Sequence, residues 1–331
     1  MNNIPSTAIM SVRWLGLSVL VAAALSAAEP RPLLVPLATV KIPGAKGAFD
    51  FIQIDQANRR LLGAHTKDGT LDVIDLDKHL LLARLPTGAA QDVVADAKSG
   101  KYFVTVSDKK HVAIVDAKTL KITNTVPTEG ELDGILLDPK NRRVYAAHDH
   151  GRSVWVIDAD TEKIIATVAI PGDPEVFVYD AKKDRVYLNI IPTHEAVVID
   201  PKSAKVVDRW STQPAQRPHG LALDPAKGWL FSAGANGELV VIDTNNGKTI
   251  ASVKIAQKVD QIAFDPGPRR VYAAADGVLN VLQETADGIV ALGDVAVPKS
   301  GKNVAVDAQT HTVWTMSTDG QDSFAHAWHL P

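Results

Sequence analysis

Seven polar residues recur at nearly even spacing along this 331-residue chain: Asp50, Asp92, Asp133, Glu175, His219, Asp260 and Asn303. Each stands just before a short apolar segment that ends in a further aspartate. The interval to that aspartate is five residues in five cases. It is four in the second and seventh, which makes Gln91 and Lys302 alternative occupants there. Carboxylates gathered in one place repel unless something positive lies between them, and hard cations take several oxygens at once. Such a set therefore suits a divalent cation or a cationic ligand. His219 and Asn303 would make the shell a mixed oxygen and nitrogen one. The bland alternative is a rim of hydrated polar groups.

Other residues offer nitrogen or charge. His148, Asp149 and His150 alternate as strand residues do, followed by Arg152, and Arg217-Pro218-His219-Gly220 has the look of a site motif. An H-x-H pair also fits a solvated loop. Asp75, Asp116, Asp158, Asp200 and Asp243 are a different matter. They precede polar turns such as Asp160-Thr161-Glu162-Lys163, where Asp and Thr satisfy backbone donors, so they read as structure and not as catalytic carboxylates.

The elements that must position these residues are strands. Asp55, Asp96, Asp138, Asp180, Asp224, Asp265 and Asp307 follow one another at intervals of 41, 42, 42, 44, 41 and 42 residues. Each ends an apolar segment and opens a turn, three times as Asp-Pro. A second segment follows, as in Arg143-Val144-Tyr145-Ala146-Ala147. A third closes on Val-Ile-Asp, as in Val156-Ile157-Asp158, and a fourth alternates, as in Lys163-Ile164-Ile165-Ala166-Thr167-Val168. Short runs rich in Val and Ile between turn residues are strands. Four strands in each unit of about 42 residues, seven times over, predict an all-β, seven-bladed β-propeller with four antiparallel strands per blade. The last unit stops after three strands. Residues 36–43 supply one unassigned strand, so the N-terminal strand is expected to close the last blade by pairing with residues 324–329 and remove two sheet edges. In the sixth unit Val281-Leu282-Gln283 replaces Val-Ile-Asp, which puts its third turn in question.

Val154 to Val168 with Pro171-Gly172-Asp173-Pro174, and Leu239 to Val253, resemble the YVTN-type β-propeller repeat. The resemblance runs from about residue 37 to the end. It implies an exported, YncE-like or surface-layer-like binding propeller, a kind in some cases reported to bind DNA. It says little of activity, because one fold serves many functions.

In a propeller the loops from strand two to three and from strand four to the next blade share one face. That face is the usual binding face. It receives the seven-residue ring, with His148, His150, Arg152 and Arg217 around it, and acidic residues outnumber basic ones there. The opposite turns carry the basic doublets Arg59-Arg60, Arg142-Arg143, Lys182-Lys183 and Arg269-Arg270.

Composition narrows the function. Residues 1–28 hold one charge, Arg13, then the apolar run Trp14 to Leu25 and Ser26-Ala27-Ala28. That order is a signal peptide, too short for a membrane span, and residues 29–331 are expected to form one domain in the periplasm or outside the cell. No transmembrane anchor is expected after its removal, and the protein is expected to be a monomer. Zero cysteines exclude disulfides, a thiol nucleophile, a lipid-anchored lipoprotein and covalent haem. A net charge of −3 and an acidic binding face argue against nucleic acid. G-x-S-x-G, Walker and H-E-x-x-H motifs are all missing. The leading expectation is thus a non-catalytic binding or scaffold propeller that takes a small-molecule or protein ligand at the channel mouth. Its alternatives are a lactonase-like hydrolase using a metal or a carboxylate there, or an accessory subunit of an exported redox system. No cofactor follows beyond a divalent cation at the ring.

Overall fold

The computed structural model describes residues 1–2 and 32–331. The expected leader, residues 1–28, lies outside the described residues except for its first two. No helix among the described residues is long and apolar enough to cross a membrane. Among the described residues the regular elements are 28 strands in seven four-stranded antiparallel sheets, a seven-bladed β-propeller. The innermost strands are Ile52–Asp55, Ala90–Asp96, Leu132–Asp138, Pro174–Asp180, Pro218–Asp224, Ile262–Asp265 and Ala305–Asp307. Six blades are consecutive meanders. The seventh is closed by Val35–Ile42 pairing antiparallel with Ser323–His329, with Val40 opposite Ala325. The sixth blade keeps its third strand, Val278–Glu284, and turns one residue later than the other units.

Burial explains the strand types. Second and third strands are buried along nearly their whole length because a blade is sandwiched between two neighbours, so they are continuous Val/Ile/Leu runs. Fourth strands such as Lys163–Ala169 are mostly exposed and form the outer edges. In the first six blades the pairing of third and fourth strands carries a register shift at the equivalent position. A bulge twists an edge away from further pairing, which protects these open edges. The hydrophobic core is correspondingly divided into wedges, one at each seam between blades. Tyr145, Val156, Phe177 and Leu188 fill the seam of blades three and four. Ile42, Leu61, Trp314 and Met316 fill the closing seam of blades seven and one.

The turn after each innermost strand puts one residue at positive φ: Arg59, Gly100, Arg142, Asp184, Gly228, Arg269 and His311, between 54° and 69°. The strand-ending aspartate holds this turn. Asp138 Oδ1, for example, accepts the Lys140 and Asn141 amides at 3.0 and 2.9 Å. Where the left-handed residue has a basic side chain, it reaches back to the aspartate of the preceding blade. Arg59 grips Asp307 at 2.8 and 2.6 Å, Arg142 grips Asp96 at 2.9 and 2.6 Å, and Arg269 meets Asp224 at 2.5 Å. His311 Nδ1 lies 2.8 Å from Asp265. The first arginines of three basic doublets are therefore inter-blade clamps. The third-strand aspartates cap turns as expected, with Asp158 Oδ1 accepting from the Asp160 and Thr161 amides at 3.1 and 2.7 Å.

Candidate functional site

The innermost strands surround a shaft of about 580 Å³, walled by Ile54, Val94, Leu136, Val178, Ala263 and Val306. Gln53, Gln56, Asp92 and Gln261 also line it, so its walls present polar and apolar surface in nearly equal measure. The ring residues cap the end where strand-four connections arrive, because each of them precedes or opens an innermost strand.

The structure brings five of the seven together. His219 Nδ1 lies 2.9 Å from Glu175 Oε1 and 3.7 Å from Asp260. Lys302 Nζ approaches Asp260 at 3.7 Å. Glu175, His219 and Asp260 each offer a ligand atom within 4.8 Å of the others. Among the described residues, the side chains of Asp50 and Asp133 find no hydrogen bond or ion pair, yet both feel the neighbouring acids. Burial raises Asp50 well above the usual carboxylate range, and the charges of Asp260, Glu175 and Asp92 add to it while Lys302 opposes. Burial does the same to Asp133, reinforced by Glu175, Asp50 and Asp149. Glu175 is raised by burial against the pull of its His219 hydrogen bond. Burial works against a charge on His219, but the Glu175 bond and charge outweigh it, so its pKa rises. Like charge in a poorly solvated place keeps protons or attracts cations.

Asp92 and Asn303 are ring members by position but commit their side-chain oxygens to backbone amides, Asp92 across a seam and Asn303 within its own blade. Asp92 is 5% exposed, and its two oxygens accept the Val93 amide at 2.8 Å and the Ile135 amide of the next blade at 3.1 Å. Burial outweighs these donors and pushes it up to about 7. Of the two candidates in the second blade, Gln91 turns to Thr66, accepting its hydroxyl at 3.0 Å. Asn303 is 1% exposed and accepts the Met316 amide at 2.7 Å, so Lys302 is the seventh blade's group beside the acids.

The loop residues separate. His148 packs against Trp155, 4.8 Å between ring centroids, and bonds Ser153 Oγ at 3.1 Å. Gly130 and Gly151 close on its ring so tightly that a Cβ at either would collide with it. His148 is held inside its blade by these contacts, whereas His150 is exposed and forms a second group with Asp149 and Asp173, 3.1 Å from the latter. The Asp173 hydrogen bond raises the His150 pKa. Arg152 and Arg217 are exposed, and the Arg217 charge opposes a proton on His219.

Sequence reasoning missed Gln261. This residue, 6% exposed, spans three blades: its Oε1 accepts the Ile52 and Val304 amides, both at 3.2 Å, and its Nε2 donates to Ile52 O at 2.9 Å. It fixes the backbone beside Asp50, Asp260 and Asn303. The signal that could have found it is an interval. Like Asp92 and Asn303, Gln261 stands four residues before its strand-ending aspartate, and all three accept backbone amides. His65, which ends its second strand as His148 does in blade three, pairs with Asp72 at 2.9 Å, both fully buried.

No protein-family model matches this sequence, and no curated protein does. Among solved structures the chain is similar to one titled Kuenenia stuttgartiensis hydrazine synthase. The TM-score is 0.73 at 12% identity, over 86% of this chain and 95% of that one. At that identity the likeness concerns the propeller fold.

Proposed function

We propose that this chain is an extracytoplasmic binding or scaffold propeller of the YVTN-repeat type, acting as a monomer, with its ligand at the acidic mouth of the shaft. The observation that carries this reading is the meeting of Asp50, Asp133, Glu175 and Asp260 at one end of the shaft, with His219 and Lys302 beside them. A ligand bringing positive charge, whether a divalent cation, a cationic small molecule or a basic segment of a protein, would relieve the repulsion that adds to burial in raising Asp50, Asp133 and Glu175. Export is supported by the charge–apolar–small order of residues 1–28. The second reading, a metal-using hydrolase, is favoured by the Glu175–His219–Asp260 geometry, whose ligand atoms lie within 4.8 Å of one another.

Thermal unfolding in EDTA, Ca²⁺, Mn²⁺ and Zn²⁺ tests the site, with the Asp133→Asn, Glu175→Gln double variant as control. A cation at one hundred times its Kd adds about 2.7 kcal/mol to wild-type stability and nothing to the variant. A midpoint unmoved by all three ions at millimolar concentration removes the metal from the proposal. Turnover of a lactone panel by the metal-loaded protein that EDTA abolishes and the Asp133→Asn, Glu175→Gln variant lacks would make the metal-hydrolase reading the correct one.

A further inference from the structure

A second candidate site lies away from the channel, in the crevice between the connection leaving blade six and the outer strands of blade seven. The crevice has a volume of about 410 Å³ and is lined by Thr39, Pro298, Lys299, Ser317, Phe324 and His326, among others. Ser317 and His326 sit on adjacent strands, Thr312–Thr318 and Ser323–His329. Their register sets Thr315 opposite His326 and Ser317 opposite Phe324, so Ser317 and His326 are diagonal neighbours on one face. Ser317 Oγ is 2.9 Å from His326 Nε2. The other ring nitrogen, Nδ1, is 3.3 Å from Thr39 Oγ1 on the closing strand. With Nδ1–H donating to Thr39, Nε2 keeps its lone pair for the serine proton. Burial lowers the His326 pKa, which favours the neutral ring that a base requires.

We propose that Ser317 and His326 form a nucleophile–base pair that takes small esters or lactones into this crevice. Thr39 is the positioning residue for the imidazole. A hydroxyl next to a base that a third group orients is the arrangement that activates a serine. In the first step Ser317 Oγ bonds to the acyl carbon, its proton passes to His326 Nε2, and the carbonyl electron pair moves onto the carbonyl oxygen. When the carbonyl re-forms, the alkoxide leaves and takes the proton from Nε2. Water then repeats the sequence on the acyl-serine, releasing the acid and restoring the hydroxyl. Ser317 is 3% exposed, so the reaction needs a substrate small enough to enter the crevice.

Blade three contains the internal comparison. His148 and Ser153 also bond, at 3.1 Å, but the glycines at 130 and 151 press against that imidazole and leave a substrate no room beside it. A serine that merely bonds a histidine should behave alike in both places. The full chain is treated with a fluorophosphonate probe and digested, and adducts are located by mass spectrometry. The expected result is modification at Ser317 and not at Ser153, slowed at least tenfold in His326→Gln and unchanged in Ser153→Ala. A burst of p-nitrophenol from p-nitrophenyl acetate, absent in Ser317→Ala, provides a second readout, and circular dichroism verifies that each variant is folded. No adduct at Ser317 in the folded wild type, or labelling of His326→Gln at the wild-type rate, overturns the proposal.

Discussion

Mild acidification should stabilise this protein, and Asp92 allows the size of the effect to be worked out. Its pKa rises from 3.8 to about 7 because folding removes it from water. A raised acid binds its proton more tightly folded than unfolded, so its contribution is full below the unfolded value and is lost as pH rises toward 7. The whole shift corresponds to roughly 4 kcal/mol, of which roughly 2 kcal/mol falls between pH 8 and pH 5.5. Asp50, Asp133 and Glu175 shift in the same direction and add to the slope. The acid limit comes from the clamps. Burial alone would raise Asp307, but the Arg59 and Thr310 bonds outweigh it and hold it at about 2, so that stabilisation disappears as pH falls below about 4. Stability should therefore peak near pH 5. Urea unfolding followed by circular dichroism at pH 5.5, 6.5, 7.5 and 8.5 measures the slope, since a change in midpoint at constant m-value is a change in stability. Asp92→Asn separates the local term. It loses roughly 1–3 kcal/mol at pH 5.5, because one amide oxygen cannot serve both the Val93 and Ile135 amides, and its pH slope is shallower than that of the wild type. A wild-type stability that is flat or rising from pH 5.5 to 8.5 would refute the reasoning, since it would mean these acids ionise in the fold at little cost.

Two further outcomes follow from the seams. Arg142→Ala strands the Asp96 carboxylate, 2% exposed, and should cost about 3–5 kcal/mol in urea unfolding, with Arg142→Lys recovering only part because it cannot bond both oxygens. Gln261→Leu leaves the Ile52 amide and carbonyl and the Val304 amide without the bonds they now make. Hydrogen exchange should speed up at residues 52 and 304 while the distant seam of blades three and four stays protected.

Much of this architecture is legible in the chain because a propeller is built from local repeats. A strand-ending aspartate every 42 residues or so, a Val-Ile-Asp third strand and an unmatched N-terminal strand are facts of spacing, and spacing alone leads to seven blades and their closure. The caps on Asp158 and its equivalents are as local, since the carboxylate bonds amides two and three residues on. Arg59, Arg142 and Arg269 show where that legibility stops. In sequence they are halves of basic doublets on one face, and only ring closure sets each beside an aspartate of the preceding blade, through a left-handed turn that aims the side chain backwards. The mouth of the shaft divides in the same way. Repetition places Asp50, Asp133, Glu175 and Asp260 at equivalent heights, but the tertiary structure decides that Glu175 and Asp260 share His219, that Asp92 turns into a seam and that Lys302 takes the place beside Asp260 while Asn303 is buried. Periodicity sets which residues reach one end of the channel. Desolvation and the few tenths of a nanometre between side chains from different blades set what each is bonded to and whether it keeps its proton, and those distances exist only once the ring has closed.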